Sequence, residues 1–227
     1  MKKIIIALIT FLTFQFSFSQ KKEFENVSID KLITETQYSS DSTESIDLIW
    51  WIPTEYWNVV FSQDKTVSKS ESEAIINLLK NYVTIIAVKG KVGLFGGVTY
   101  ASKDSIQSSL KVRFKTDELQ LENEKNYDPD LLNFLSLIKP MMSNMLGPMG
   151  ENMQVFLFKN PGFKKILPVD PYSSENLYFS LGDFENVVEL PLGSLLKEKI
   201  CNKCNRMLNG KWSYCPYDGT ELSSADN

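Results

Sequence analysis

All three cysteines of this 227-residue chain lie near its C-terminus, at a spacing that suits a metal ion. Cys201 and Cys204 form a Cys-x-x-Cys pair, and Cys215 is followed three residues later by Asp218. Two such corners can present four ligands to one tetrahedral Zn²⁺. We therefore predict a metal site made of Cys201, Cys204, Cys215 and Asp218, in which Asp218 stands where a fourth cysteine would be expected.

The chain has to reverse after each of these corners, usually through a residue with a positive φ angle. Gly219 adopts such an angle freely, and Asn205 is among the few other residues that tolerate it. The segment from about residue 200 to 222 resembles the zinc-ribbon family, and the resemblance covers about a tenth of the chain. It implies a small two-knuckle appendage with a structural Zn²⁺, and it identifies no activity.

Two other interpretations of the cysteines stay open. The segment could keep its fold without metal, stabilised by hydrogen bonds and by packing of Trp212. A disulfide could also form, because oxidising compartments favour disulfides, but three cysteines leave one unpaired. No thioredoxin-type βαβ pattern surrounds Cys201 and Cys204, which argues against a redox motif.

A run of methionines offers a second kind of metal chemistry. Met141, Met145, Met149 and Met153 recur every four residues, with Met142 beside the first. Thioethers are soft ligands that select Cu(I), so a metal-handling protein for copper or zinc outside the cytoplasm is an alternative function. Glycine and proline interrupt the stripe, however, and methionine often fills gaps in irregular cores. Packing is the preferred interpretation.

The chain contains no histidine, which removes the commonest general acid/base and any Ser-His-Asp relay. A hydrolase built on carboxylates is a third alternative. However, Asp128 and Asp130 suit the start of a helix, and Asp183 and Glu185 suit the solvent edge of a strand. We predict no catalytic residue and expect a non-catalytic protein.

The first nineteen residues have the pattern of a secretory signal. Lys2 and Lys3 precede an apolar core from Ile4 to Phe14, and Ser17 and Ser19 are the small residues before a cleavage point at Gln20. The core is shorter than the ~20 residues that a spanning helix needs. We expect an exported protein, periplasmic or secreted, without stable membrane insertion after cleavage.

The formal net charge is −4, and removal of the signal leaves 22 basic against 28 acidic side chains. No basic block or helix remains to neutralise phosphates, which disfavours nucleic acid as a partner.

Residues 20–45 are polar, and we predict a loosely ordered lead-in. Ile46–Ile52 is strand-like and Pro53 stops it, and we predict a second strand over Tyr56–Ser62. The tryptophans and tyrosines of this region could form a platform for a glycan. Large rings more often anchor the core of a sheet, and we favour that interpretation.

Two main helices are predicted. Ser70 and Glu73 fit a capping box, and the apolar spacing that follows predicts a helix to about Asn81. Asp128 suits the N-cap of a second helix, which we expect to be buried on more than one side, bent near Pro140 and ended by Gly147 and Pro148. Further strands are predicted over residues 83–88, 94–100, 109–115, 154–159, 175–180 and 187–190, with a turn at 90–91.

These elements do not alternate as βαβ units, so we predict an α+β fold with a mostly antiparallel sheet. The predicted organisation is a signal peptide at 1–19, a lead-in at 20–45, an α+β domain at 46–196 and a zinc-ribbon-like tail at 197–227. The predicted function is that of an exported, non-catalytic binding or interaction protein, whose partner is a protein or a small-molecule or glycan ligand.

Overall fold

The computed structural model describes residues 20–159 and 169–224. The predicted signal peptide lies outside these residues. Six α-helices occur in the described part: α1 (Ile29–Thr36), α2 (Thr54–Gln63), α3 (Lys69–Leu79), α4 (Lys103–Ser109), α5 (Pro129–Leu146) and α6 (Pro148–Asn152). Within the described ranges, no helix combines the length and the apolarity needed to cross a membrane.

The strands of the described residues fall into three antiparallel sheets. They are β1 (Gln37–Ser39), β2 (Ser45–Ile52), β3 (Val83–Val92), β4 (Val98–Tyr100), β5 (Leu110–Phe114), β6 (Asp117–Glu118), β7 (Gln120–Leu121), β8 (Gln154–Lys159), β9 (Asn176–Leu181), β10 (Phe184–Glu189), β11 (Lys199–Ile200), β12 (Met207–Leu208) and β13 (Ser223–Ser224). The predicted α+β class with mostly antiparallel sheets is confirmed.

The central sheet has the order β1-β2-β3-β8-β7, and β4 pairs with β3. Its register places Ile49 opposite Ala87, and Ile85 opposite Phe156. The second sheet has the order β10-β9-β5-β6 and the third has the order β12-β11-β13. The third sheet belongs entirely to the C-terminal tail.

The central sheet is buried on both faces, because successive residues of a strand point to opposite sides. Ile49 and Trp51 of β2 join one hydrophobic cluster, which also holds the inner side chains of β5, β9 and β10. Leu48 and Trp50 join the other cluster, under α2, α3 and α5. The body of the protein therefore has three layers, helices on a sheet on a second sheet. The aromatic rings of β2 belong to its core and do not form an exposed platform.

The lead-in is the first correction. Residues 20–45 contain α1, whose Leu32 is fully buried in the core, and β1, which pairs with β2. Their overall polar composition did not indicate a helix with one apolar face. The side chain of Ser28 caps this helix by accepting the backbone N–H of Lys31.

The predicted strand over Tyr56–Ser62 is also wrong, because this segment is α2. Trp57 packs against Phe61 at a ring-centroid distance of 6.0 Å, and these residues are one helical turn apart. A short aromatic run fits both helix and strand, and here burial of Trp57 and Val59 in the two clusters decides for the helix.

Three details differ from prediction. The capping box of α3 is formed by Ser68 and Glu71, two residues before the predicted pair of Ser70 and Glu73. Strand β3 continues through Gly90, and the hairpin turn lies farther on, around Gly93 and Gly96.

Helix α5 is not buried on more than one side. Its exposed apolar side chains are Leu132, Leu137, Met141, Met145 and Leu146.

Candidate metal centre

The four residues predicted as ligands come together in the tail. The Sγ atoms of Cys201, Cys204 and Cys215 and a carboxylate oxygen of Asp218 all lie within 4.8 Å of one another. Cys201 and Cys215 are buried, and Cys204 and Asp218 are partly exposed. Four such groups in one small cluster could bind a metal ion.

Two backbone turns with the same hydrogen bonds build this cluster. In the first, the N–H of Asn205 donates to the carbonyl of Cys201 (2.7 Å), and the N–H of Cys201 donates to the carbonyl of Arg206 (3.0 Å). Asn205 has a φ of 56°, as the sequence predicts.

The second turn repeats the pattern. The N–H of Gly219 donates to the carbonyl of Cys215 (2.9 Å), the N–H of Cys215 donates to the carbonyl of Thr220 (2.8 Å), and Gly219 has a φ of 72°. By this equivalence Asp218 occupies the position that Cys204 occupies in the first turn.

The separations of two pairs of ligand atoms agree with the edges of a tetrahedral centre. Cys204 Sγ lies 3.8 Å from Cys215 Sγ, and Cys201 Sγ lies 3.6 Å and 3.5 Å from the two oxygens of Asp218. With bonds of about 2.3 Å to sulfur and about 2.0 Å to oxygen, a tetrahedral zinc site has S–S edges of about 3.8 Å and S–O edges of about 3.5 Å. The cysteines are not joined by disulfides in this structure.

The backbone already favours the ionised form of two of the ligands. The N–H of Thr220 donates to Asp218 Oδ1 (3.0 Å) and lowers the pKa of that carboxyl group. The N–H of Cys204 donates to Cys201 Sγ (3.4 Å) and lowers the pKa of the Cys201 thiol. Burial instead raises the pKa of Cys204 to about 11, so a metal ion has to displace its proton.

The tail has very little hydrophobic core of its own. Its buried cluster consists of Cys201, Leu208, Cys215 and Leu222, with Cys204 packed against it. Trp212 is 39% exposed and is not part of this cluster. Two leucines and three cysteines bury too little apolar surface to fix a segment of this length.

The tail follows a segment that is firmly attached to the body. Both oxygens of Glu35 in α1 accept backbone N–H groups, from Gly193 (3.1 Å) and Ser194 (2.9 Å). Leu192 and Leu195 belong to the body's core. The side chain of Asn209 lies against Gly193, where an added Cβ would come within 2.0 Å of it.

The methionines do not share one environment. Met142 and Met153 are buried in the core under the helices, with Met149 packed against it, whereas Met141 and Met145 are exposed on α5. Their sulfur atoms are therefore divided between the core and the surface, as the packing interpretation predicts.

The carboxylates considered in the sequence have structural positions. The N–H of Asp130 donates to Asp128 Oδ1 (2.8 Å), which confirms Asp128 as the N-cap of α5. Asp183 and Glu185 are exposed at the turn and edge of the β9–β10 hairpin.

Sequence reasoning missed Glu55, in the first turn of α2. Burial raises the pKa of the Glu55 carboxyl group, and the negative charge of Asp170 raises it further. The Nζ of Lys21, which lowers that pKa, lies 3.7 Å above the ring of Tyr172. The position of Glu55 two residues after Pro53, in the first turn of a helix, was the available signal for this carboxylate.

Comparison of the chain with protein-family models, with curated proteins and with solved structures found no match.

Proposed function

We propose that the tail is a zinc-ribbon-like module that holds one structural Zn²⁺ through Cys201, Cys204, Cys215 and Asp218. The observation that carries this proposal is the agreement between the ligand-atom distances and the edges of a zinc tetrahedron. The repeated turn supports it, because it places Asp218 at the position of a fourth cysteine.

A structural role fits this ligand set better than a catalytic one. Catalytic zinc sites keep one position open for water or substrate, whereas four protein ligands close the coordination shell. Metal binding also supplies the stability that the small tail core lacks, because the free energy of binding becomes free energy of folding in such segments.

For the whole chain we propose an exported, non-catalytic binding or interaction protein. Export rests on the pattern of residues 1–19. Interaction is supported by the exposed apolar side chains of α5 and of the β3–β4 turn, because groups of such side chains on a protein surface mark binding sites. N-terminal sequencing of the mature protein should begin at or near Gln20, and an intact Met1 would contradict export.

The two alternatives have less support. A copper site needs thioether sulfurs that converge, and the methionines are divided between core and surface. A carboxylate hydrolase needs two acids that share a substrate site. The charge of Asp170 contributes to the raised pKa of Glu55, but Asp170 Oδ1 already accepts the N–H of Tyr172 (3.0 Å) in a local turn.

Metal analysis combined with thiol titration tests the zinc site. We expect about one zinc per chain and no disulfide in protein purified from its native compartment. Less than about a tenth of an equivalent of any metal, together with a disulfide between two of the cysteines, would contradict the proposal.

Substitutions at Asp218 test whether it is a ligand. Asp218→Cys should tighten zinc binding, because it completes a four-cysteine site, and Asp218→Ala should weaken it by about tenfold or more. Glu221→Ala, three residues away and outside the cluster, is the matched control. Equal zinc affinity for the wild-type protein and Asp218→Ala would remove Asp218 from the ligand set.

A further inference from the structure

The turn between β3 and β4 presents two large apolar side chains entirely to solvent. Leu94 is 101% exposed and Phe95 is 103% exposed, so neither packs against the rest of the described chain. Glycines surround them: the N–H of Gly93 donates to the carbonyl of Gly97 (2.7 Å), and Gly96 has a φ of 81°. We call the segment 93–97 the hairpin tip.

The body also has an apolar groove on its helical side. The groove, beside α5, has a volume of about 620 Å³. Its floor includes Ile86 and Val155 of the central sheet, and its sides include Leu132 and Leu135 of α5. Charged side chains stand at its rim, among them the ion pair of Lys103 with Glu124. Grooves of this size and character receive apolar groups from a ligand or a partner.

The tip cannot reach the groove of its own chain. Ile86 on the groove floor lies in β3, which is paired with β2 up to Lys91, and the hairpin tip follows directly after the end of this strand. A strand rises about 3.3 Å per residue, so the tip lies about 20 Å beyond Ile86. The chain thus carries an apolar protrusion and an apolar recess that only two different copies can bring together.

We propose that the protein self-associates by inserting the hairpin tip of one copy into the groove beside α5 of another. The proposal specifies a partner for the interaction role proposed above, and it is independent of the zinc site. A single insertion of a protrusion into a recess on the next copy is a heterologous contact, whereas two reciprocal insertions related by a two-fold axis form a closed, isologous dimer.

The buried area decides in favour of the reciprocal arrangement. Two fully exposed side chains of this size remove on the order of 300 Å² from water, and the groove walls remove a comparable area. One insertion therefore buries on the order of 600 Å², which is typical of a crystal contact, whereas two reciprocal insertions bury on the order of 1,200 Å², the lower limit of a specific interface.

A complementation experiment tests this geometry. The tip variant is Leu94→Ser with Phe95→Ser, at positions where no folded contact is lost. The groove variant is Ser136→Trp, which fills the groove from an exposed position of α5. Asn133→Trp, exposed on the same helix and outside the groove lining, is the matched control. Far-UV circular dichroism verifies that each variant is folded.

Sedimentation velocity over a concentration series gives the result. The wild-type protein and Asn133→Trp should change from one chain to two as concentration rises, and each site variant alone should associate at least tenfold more weakly. An equimolar mixture of the tip and groove variants keeps one of the two insertions, so it should associate more strongly than either variant alone and more weakly than the wild-type protein.

Three results would overturn the proposal: a wild-type protein that stays monomeric, a tip variant that dimerises as strongly as the wild-type protein, or a mixture that associates no more strongly than either variant alone. Binding of the monomeric chain to phosphatidylcholine vesicles, lost in the tip variant, would assign the tip to a lipid surface instead. Zinc content is measured on the same samples, so a failure of self-association is distinguished from a failure of the metal site.

Discussion

The body and the tail of this protein are held together in different ways. In the body, two hydrophobic clusters cover both faces of the central sheet and include side chains from all three layers. In the tail, the only buried cluster of the described residues has four members, and two of them are cysteines of the predicted metal site. The same chain therefore folds one region by apolar burial and, by our account, the other by metal coordination.

The comparison explains why local sequence patterns predicted the turns of the tail but assigned the wrong structure to a segment of the body. The tail turns were predicted to the residue, at Asn205 and Gly219, because local backbone geometry and ligand spacing fix them. In the body, Trp57 lies in a helix that had been predicted as a strand, because tertiary packing and not local pattern selects between the two.

The largest expected effect is a core truncation in the body. Phe156 of β8 is 1% exposed and lies in the cluster between the two sheets. Phe156→Ala should lower the free energy of unfolding by about 3–5 kcal/mol, since it removes a buried ring and leaves a cavity. Urea denaturation followed by circular dichroism measures this loss.

The same variant sharpens the comparison if zinc is measured under native conditions. The tail should retain its metal in Phe156→Ala, because its ligands come from the tail alone. Release of zinc from the folded variant would show that the two regions are one cooperative unit.

The next effect concerns the attachment of the two regions. Glu35→Ala removes the carboxylate that accepts the N–H groups of Gly193 and Ser194, and we expect a loss of about 2 kcal/mol in unfolding free energy. Glu35→Gln keeps one acceptor oxygen and should lose less. Hydrogen exchange should show the change first at residues 193–196, and unchanged exchange there would contradict the role of Glu35.

The smallest effect is the loss of a helix cap within the body. Asp128→Ala removes the acceptor for the N–H of Asp130 and should cost about 1 kcal/mol of unfolding free energy. Asp130→Ala, in the same turn but outside the cap position, is the control and should cost less. Equal losses in the two variants would mean that charge in the first turn matters more than the cap.

Much of the body's architecture was predictable where the signal is strong and local. Asp128 with Pro129 marks the start of α5, and the alternation of Leu110, Val112 and Phe114 marks β5. Helix α1 was missed because its core contact depends on Leu32 meeting strands far along the chain. The exposure of α5 was missed because an apolar sequence does not say which of its side chains another element will cover.

At the candidate site, the sequence predicted all four residues that the structure brings together, because turn spacing is enough to place them. It did not predict that Trp212 would stay outside the tail cluster, nor that Glu35 would hold the segment that precedes the tail. Both depend on contacts between residues far apart in the chain.

Chelation followed by hydrogen exchange tests the central claim most directly. The purified protein is compared before and after treatment with a zinc chelator, and exchange is measured for tail peptides and for peptides of β2, β3 and β8. We predict that protection in residues 199–224 falls to that of an unfolded segment, while the strands of the body keep theirs. Tail protection that survives complete removal of metal, with the thiols still reduced, would contradict the account.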